Sequence, residues 1–194
     1  MKKGCLSFTI IIVILAVIFI FAGRDIVDAV LRQLYPRNYE ELVQIEAANF
    51  SLDENLVYAL IKAESKFDED AVSHAGAVGL MQLTPETFRW INEKHGIMED
   101  GADIYNPKDN IFAGCALLRL LLDHYGDLGT ALSAYNAGMG NVSSWLKDEQ
   151  YSSDGRVLHT IPFPETREYT KRVQENYSVY QSLYSTENQE QKES

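Results

Sequence analysis

The sequence predicts a mainly α-helical protein in which one N-terminal transmembrane helix precedes one folded helical domain. Three observations support this fold class. Residues 4–23 carry no charge, apolar residues recur at helical spacing in the rest of the chain, and no alternating run is long enough to predict a β-strand. A length of 194 residues suits one domain with an appendage and is too short for two ordinary domains.

The uncharged segment, GCLSFTIIIVILAVIFIFAG, has the length of a membrane-spanning helix. A helix of roughly 20 residues covers about 30 Å, which is the thickness of the hydrocarbon layer. Lys2 and Lys3 precede the segment, so the positive-inside rule predicts a cytoplasmic tip and an extracytoplasmic domain. A cleaved signal peptide is the alternative, but bulky residues stand where its cleavage site needs small ones. We therefore predict an uncleaved anchor in the cell membrane over residues 1–23.

The chain is acidic, with a formal net charge of −11. All of its acidic residues follow the predicted anchor, so the extracytoplasmic part is still more negative. Nucleic-acid-binding proteins need basic patches that meet phosphate, and this balance argues against a nucleic-acid partner. Cys5 and Cys115 fall within the predicted membrane or on opposite sides of it, which predicts no disulfide. Cys5 precedes the apolar run, which disfavours lipidation, and Cys115 is predicted to lie in the core.

Two flanking segments bound the predicted domain. Residues 24–37 are predicted to form a stalk or an entry helix that ends at Pro36. Residues 185–194 contain no apolar side chain and are predicted to be disordered, because they have nothing to bury. The helical domain is therefore predicted over residues 38–184.

The segment over residues 51–65 is predicted to form an amphipathic helix. Ser51 and Glu54 match a capping box at its start. Its apolar residues recur at helical spacing, and they are Leu52, Leu56, Val57, Leu60 and Ile61. Glu64 continues this apolar face, which predicts an acidic side chain at the edge of the core and not out in water.

The other helices are predicted from their start and stop signals. Asn38 and Glu41 match a capping box that begins the first helix of the domain. Proline at a first helical position and glycine after a last turn delimit the later helices. These are predicted to start at Pro85, to cover Pro107–Tyr125, Leu128–Ala137 and about Gly140–Leu146, and to run from Pro164 to about Tyr184. Residues 66–80 lack periodicity and contain Gly76 and Gly79, which predicts a loop.

Four short segments stand out once these helices are placed. They are Glu64-Ser65, GLMQ over residues 79–82, AYNAG over 134–138 and ETREY over 165–169. Their order and spacing resemble the lytic transglycosylase family with the lysozyme-like fold, of the goose-lysozyme and soluble-lytic-transglycosylase (SLT) type. The resemblance covers about residues 41–184. It implies a lysozyme-like helical domain that cleaves the glycan strands of peptidoglycan.

The resemblance also implies roles for individual residues. Glu64 matches the catalytic acid of the family. The residues that match substrate-binding positions are Ser65, Ser73, Gln82, Tyr135, Asn136 and Tyr169. Some relatives have a second hydroxyl two residues beyond the position of Ser73. This chain has Ala75 there, so the paired hydroxyl of those relatives is not carried over.

The predicted position of Glu64 fits this chemistry. Cleavage of a glycosidic bond requires protonation of a poorly basic oxygen, and apolar surroundings raise the pKa of a carboxyl group so that it can donate the proton. Asp68, Glu69 and Asp70 are the nearest candidates for a second carboxylate, but their charge run is typical of a solvated loop. The resemblance implies instead that the 2-acetamido group of N-acetylmuramic acid assists and that a 1,6-anhydro ring forms.

Two other functions stay open on the sequence. A lysozyme-like hydrolase would use the same fold and release ordinary reducing ends, and a cell-wall-binding or assembly protein would keep the fold without turnover. The predicted partners are peptidoglycan glycan strands and the membrane. The four histidines are scattered, and no HExxH or cysteine–histidine spacing occurs, which predicts neither a metal nor a cofactor.

Overall fold

A computed structural model of the chain describes residues 26–95 and 101–190. The chain divides into two units, Met1–Pro36 and Arg37–Ser194. In the first unit, residues 26–34 form helix α1 within the predicted stalk. The predicted anchor over residues 1–23 lies outside the described residues. None of the described helices combines the length and the apolar character that a bilayer crossing needs.

The second unit is mainly α-helical, which confirms the predicted class. Its described helices are α2 (Glu40–Asn49), α3 (Glu54–Glu64), α4 (Pro85–His95), α5 (Pro107–Tyr125), α6 (Leu128–Ala137), α7 (Met139–Trp145) and α8 (Pro164–Glu190). Over the described part of this unit, β-type pairing consists of isolated bridges that join Val78 to Val72 and to Leu83. The loop predicted over residues 66–80 is therefore present and is folded back on itself.

The core of the unit is built around α3 and α8. Residues 55–61 of α3 are all buried, so this helix is covered on nearly every side. It packs mainly against α8, where Val173 and Tyr180 are fully buried. The helix α6 packs against both α5 and α8. As α8 contacts both α3 and α6, side chains from these three helices can meet in one place.

The two predicted capping boxes are wrong. The residue before α2 is Tyr39, which has a φ of 61° and makes no side-chain cap, so Asn38 does not begin the helix. The helix α3 is capped by Asp53, whose carboxylate accepts the N–H of Asn55 at 2.9 Å. Ser51 instead takes a positive φ in the turn that closes α2. Asp53 caps the helix in place of Ser51 because it directly precedes the first helical residue.

The later helix boundaries follow the local signals closely. Gly126 ends α5 with a φ of 68°, in the left-handed conformation that glycine tolerates. The helix α6 has the predicted bounds, and α7 begins one residue earlier than predicted. The helix α8 ends at Glu190, six residues past the end predicted at Tyr184. The first six residues of the predicted disordered tail are thus helical.

Candidate active site

A cavity of about 500 Å³ lies between the C-terminal end of α3, the loop that follows it, α6 and α8. Its volume falls in the range of small-molecule sites. Glu64 lines this cavity together with five of the six predicted substrate-binding residues, Ser73, Gln82, Tyr135, Asn136 and Tyr169. Residues that are up to about a hundred positions apart in the chain therefore share one site.

Glu64 is the last residue of α3 and is partly buried. Its Oε1 accepts a hydrogen bond from the Tyr169 hydroxyl at 2.5 Å. Burial raises the pKa of Glu64 from 4.5 to about 7, while the Tyr169 hydroxyl and the nearby Arg172 lower it. The burial effect is the largest of the three, because an ionised carboxylate loses its hydration in the protein interior. Near neutral pH the carboxyl group is thus poised to give or to accept a proton.

Two tyrosines, one buried and one partly buried, line the cavity around Glu64. Tyr169 is only 2% exposed, and burial together with the charge of Glu64 holds the pKa of its phenol well above 10. The Tyr135 hydroxyl donates to the carbonyl of Met81 at 2.9 Å, and burial likewise raises its pKa. Both phenols therefore stay protonated, so they act as hydrogen-bond donors and as rigid surfaces.

The segment over residues 79–82 is held in place by Asn110 of α5. The Asn110 Oδ1 accepts the Met81 N–H at 2.8 Å, and its Nδ2 donates to the carbonyls of Val78 and Ile104. Gly79 is required here, because a Cβ atom at this position would lie 2.5 Å from Nδ2 of Asn110. The clamp fixes the carbonyl that Tyr135 contacts, so it positions one wall of the cavity.

Gln82 ends this segment and adopts a φ of 47°, which is uncommon for a residue other than glycine. Its Nε2 donates to the carbonyls of Ala71 and Gly79 at 3.0 and 2.9 Å. The side-chain amide has two N–H donors, and both are used by the loop. Its carbonyl oxygen is consequently the polar atom that Gln82 offers to a ligand in the cavity.

Ser65 does not line the cavity, which differs from its predicted role in substrate binding. Its hydroxyl donates to the Leu80 carbonyl at 2.9 Å and accepts the Phe67 N–H at 3.1 Å. Ser65 thus connects the end of α3, where Glu64 lies, to the following loop. Glu64, which precedes Ser65 in the sequence, faces the cavity because consecutive residues at a helix end point in different directions.

The other predicted polar residues are held by short contacts at the cavity edge. The Ser73 hydroxyl accepts the Ala77 N–H at 3.0 Å, which fixes the turn on which it sits. The Asn136 Oδ1 accepts the hydroxyl of Thr166 at 2.8 Å. This bond leaves the Asn136 amide N–H groups as donors for a ligand.

The run Asp68, Glu69 and Asp70 lies on the exposed loop and does not line the cavity. Glu69 accepts a hydrogen bond from Tyr39 at 3.0 Å, on the outside of the protein. Glu165 is the carboxylate besides Glu64 that the structure places among the residues lining the cavity. Over the described residues, no group of three or more His, Cys, Asp or Glu side chains is arranged to hold a metal ion.

Two residues of α8 line the cavity without a predicted role: Glu165, which begins the segment over residues 165–169, and Arg172, which lies beyond it. The signal that would have found them is helical spacing. Glu165, Tyr169 and Arg172 are four and three residues apart, so they lie on one face of the helix. Because Tyr169 was already a candidate, its neighbours on that face were candidates as well.

Comparison with known proteins gives a consistent set of relatives. The family model of the transglycosylase SLT domain matches residues 41–157. A transglycosylase of Enterobacteria phage PRD1 is 36% identical over 121 residues, which are 62% of this chain and 42% of the phage protein. A membrane-bound lytic murein transglycosylase C of Actinobacillus pleuropneumoniae is 33% identical over 167 residues, or 74% of this chain and 46% of that protein. The chain thus spans less than half the length of these curated relatives.

Solved structures show the same likeness. An inactive glutamate-to-glutamine mutant of the lytic transglycosylase Slt from Pseudomonas aeruginosa superimposes with a TM-score of 0.70 and 34% identity, over 80% of this chain and 26% of that one. The 70-kDa soluble lytic transglycosylase of Escherichia coli gives a TM-score of 0.68 with 25% identity, over 79% and 25% of the two chains. A 70-kDa soluble lytic transglycosylase in complex with bulgecin A gives a TM-score of 0.69 with 25% identity, over 79% of this chain and 25% of that one. The fold seen here is therefore that of lytic transglycosylases.

Proposed function

Since this chain belongs to the transglycosylase SLT domain family, we propose that it is a lytic transglycosylase that cleaves the bond between N-acetylmuramic acid and N-acetylglucosamine in peptidoglycan. One observation supports this proposal above the others. Glu64 faces a cavity large enough for a sugar, accepts the Tyr169 hydroxyl at 2.5 Å and has its pKa raised by burial to about 7. A carboxyl group in this state suits general acid catalysis near neutral pH.

Glu64 performs two proton transfers in the proposed reaction. The protonated carboxyl first donates its proton to the glycosidic oxygen as the bond to the anomeric carbon breaks. The 2-acetamido oxygen of the muramyl residue attacks that carbon and stabilises the positive charge, so no second carboxylate is required. The carboxylate of Glu64 then accepts the proton of the muramyl 6-hydroxyl, whose oxygen attacks the anomeric carbon. The acetamido group is displaced, and a 1,6-anhydro end forms without the addition of water.

The neighbouring side chains prepare Glu64 for these steps. The Tyr169 hydroxyl orients the carboxyl group and stabilises the carboxylate that forms after the first transfer. The N–H groups of Asn136 and the carbonyl oxygen of Gln82 are the polar atoms available to the sugar at the cavity edge. The inactive glutamate-to-glutamine mutant among the structural relatives supports a glutamate in the central role.

Analysis of the products tests the proposal directly. Purified peptidoglycan is digested with the full chain, and the released muropeptides are weighed. A lytic transglycosylase releases products that are lighter by one water than those of hydrolysis. Ordinary reducing ends would identify a lysozyme-like hydrolase, and the absence of any cleavage would favour a binding or assembly role.

Replacement of Glu64 by Gln tests the assignment of the acid. The amide keeps the shape of the side chain but has no acidic proton, so we expect a loss of at least ~10²-fold in rate. Gln is preferred to Asn at this position, because Asn would also shorten the side chain. Glu175→Gln, an exposed change on α8 outside the cavity, serves as the matched control. An E64Q protein that cleaves at the parent rate would rule out this role for Glu64.

Glu165 separates the two enzymatic alternatives. A hydrolase with a second carboxylate needs a base that activates water. Among the described residues that line the cavity, Glu165 is the candidate for this base. In the proposed lyase reaction, the Glu165→Gln variant still releases 1,6-anhydro ends, whatever its effect on the rate. A parent enzyme that yields reducing ends and depends on Glu165 for turnover would establish the hydrolase instead.

We further propose that residues 4–23 anchor the protein in the membrane as a single-pass helix, with the catalytic domain on the extracytoplasmic side. The length of the uncharged run and the two lysines before it support this location, as does the membrane-bound relative. Fractionation of cells that express the chain provides the test. The full chain is expected to stay in the membrane fraction through salt and alkaline washes. A shortened chain that lacks residues 1–23 should be absent from that fraction.

A further inference from the structure

The cavity-facing side of α8 carries opposite charges on the two sides of Tyr169. Glu165 lies one turn before this tyrosine and Arg172 lies one turn after it, and all three line the cavity. At 1.5 Å per residue, the two charged residues are separated by about 10 Å along the helix axis. Tyr169, which donates its hydroxyl to Glu64, therefore has an acidic side chain on one side and a basic one on the other along this face of α8.

Arg172 is exposed, and its guanidinium group lies near the ring of Tyr169. The centre of that group lies over the Tyr169 ring at 5.7 Å from the centroid. The ion pairs of the described residues do not include Arg172, whereas its neighbour Lys171 pairs with Glu175 at 3.8 Å. A cation over an aromatic ring does not need its N–H groups to meet an oxygen acceptor, so the donors of this guanidinium can bind a ligand.

The charge of Arg172 is unusual in its surroundings. Among the described residues that line the cavity, it is the sole lysine or arginine. The chain as a whole carries a net charge of −11, which repels an anionic polymer. A cation inside the cavity therefore provides local attraction at the point where the substrate must bind.

The chemistry of the substrate indicates what this cation meets. Hydroxyl and acetamido groups of either sugar are neutral and do not require a cation. The muramyl residue differs because its lactyl group ends in a carboxylate, which is free in peptide-free strands. When a stem peptide is attached, the lactyl group becomes an amide and the peptide brings carboxylates of its own. The planar fork of arginine matches a carboxylate with two parallel hydrogen bonds.

We propose that Arg172 binds a carboxylate carried by the muramyl residue beside the cleaved bond, and so selects strands that present this group. The inference rests on the proposed function. Arg172 would act as a specificity residue, and the catalytic proton transfers stay with Glu64.

Three glycan substrates of equal length distinguish the sources of the carboxylate. The first is peptide-free and has free lactyl groups, the second has the same lactyl groups converted to methylamides, and the third carries stem peptides. Full-length parent, Arg172→Gln and Arg172→Lys are compared at about pH 5, where Glu64 is protonated in every variant because its pKa is raised. This choice gives Glu64 the same protonation state in every variant, so the remaining effect of the Arg172 charge on its acidity acts on kcat for all three substrates alike. Lys171→Gln removes the same charge one residue away, outside the cavity, and is the matched control.

For a free lactyl carboxylate, R172Q should raise KM by roughly 10- to 100-fold on the first substrate and leave the methylamide unchanged. R172K should recover part of the loss, because a lysine keeps the charge without the fork. A loss confined to the third substrate would assign the carboxylate to the stem peptide. A loss of equal size on all three substrates, or no loss on any, would overturn the inference.

A binding measurement separates this inference from the proposed function. Calorimetry with E64Q and E64Q/R172Q compares the three glycans without turnover. Weaker binding of the carboxylate-bearing glycans alone supports the role of Arg172 even if the parent enzyme cleaves none of them. A parent enzyme that cleaves all three, with binding that is indifferent to Arg172, contradicts the inference and leaves the proposed function intact.

Discussion

At the scale of single residues, the pKa of Glu64 is set by effects that oppose one another. Burial favours the neutral carboxyl group, while the Tyr169 hydroxyl and Arg172 favour the carboxylate. A fully apolar site would hold the proton too tightly to release it, and a solvated site would lose it before the substrate arrived. The tyrosine therefore adjusts the acidity of Glu64 as well as its orientation.

Tyr169→Phe is expected to move the alkaline limb of the kcat/KM profile to higher pH. The hydroxyl lowers the pKa of Glu64 by stabilising its charged form, so its removal lets burial raise the pKa further above about 7. A general acid works only while it is protonated, and its working range then extends upward. Rates of peptidoglycan cleavage between about pH 5 and 9 give the two profiles.

Tyr177→Phe is the matched control for this change, since Tyr177 lies two turns further along α8 and bonds to Asp53, away from the cavity. Its profile should coincide with that of the parent. An alkaline limb that stays in place or moves downward in Y169F would show that the Tyr169 hydroxyl does not stabilise the carboxylate.

At the scale of elements, the start of α3 matters because this helix delivers Glu64. The Asp53 carboxylate accepts the Asn55 N–H at 2.9 Å and the Tyr177 hydroxyl at 2.7 Å. It therefore caps α3 and also links that helix to α8. The two helices are joined at this end by Asp53 and at the other end by the contact between Glu64 and Tyr169.

Asp53→Ala is expected to lower the free energy of unfolding by about 1–2 kcal/mol, through loss of the cap and of the bond to α8. Ser51→Ala should change it by less than about 0.5 kcal/mol, because Ser51 is not the cap. Urea titrations of both variants provide the comparison. The reverse order, with the larger loss at Ser51, would restore the capping box that the sequence suggested.

A second element, the segment over residues 79–82, depends on one side chain of α5. Asn110 is 1% exposed and satisfies the Met81 N–H together with the carbonyls of Val78 and Ile104. Asn110→Ala removes the side-chain partner of the Met81 N–H and of the Ile104 carbonyl, while Val78 keeps its bond from the Leu83 N–H, so we expect a loss of about 2–4 kcal/mol in the free energy of unfolding. Urea titration measures this loss.

Asn141→Ala is the matched control for Asn110, because Asn141 is an exposed asparagine of α7 that donates to one carbonyl. It should lose less than about 1 kcal/mol. Equal losses in the two variants would mean that the clamp on residues 79–82 contributes no more than an ordinary surface hydrogen bond.

At the scale of the whole molecule, the sequence predicted those features that depend on residues close together in the chain. The ends of α5 and α6 were correct because Pro107, Gly126 and Gly138 act within one turn. The apolar stripe of α3 also placed Glu64 at the core edge. Helical spacing from Tyr169 makes Arg172 a candidate, but the cavity that it lines forms only when α8 packs against α3, and no local pattern contains that packing. For the same reason the inward direction of Ser65 could not be predicted.

The raised pKa of Glu64 also has a consequence for the stability of the whole domain. In the unfolded chain this carboxyl group has an ordinary pKa near 4.5, and in the folded protein the pKa is about 7. A raised pKa contributes stability that is fully present below the unfolded value and is lost as the pH rises through the folded value. The active site is therefore expected to destabilise the parent protein at mildly alkaline pH.

Glu64→Gln removes this effect, because an amide does not ionise at any of these pH values. At about pH 8 the variant should be more stable than the parent by about 1–3 kcal/mol, and at about pH 4 the difference should be small. Urea titrations of the full chain at several pH values measure the free energies of unfolding. Glu175→Gln, at an exposed site of α8, should show a difference that hardly varies with pH. If the advantage of E64Q did not grow between pH 4 and 8, burial would not be holding the proton on Glu64, and the acid that the reaction needs would be missing at neutral pH.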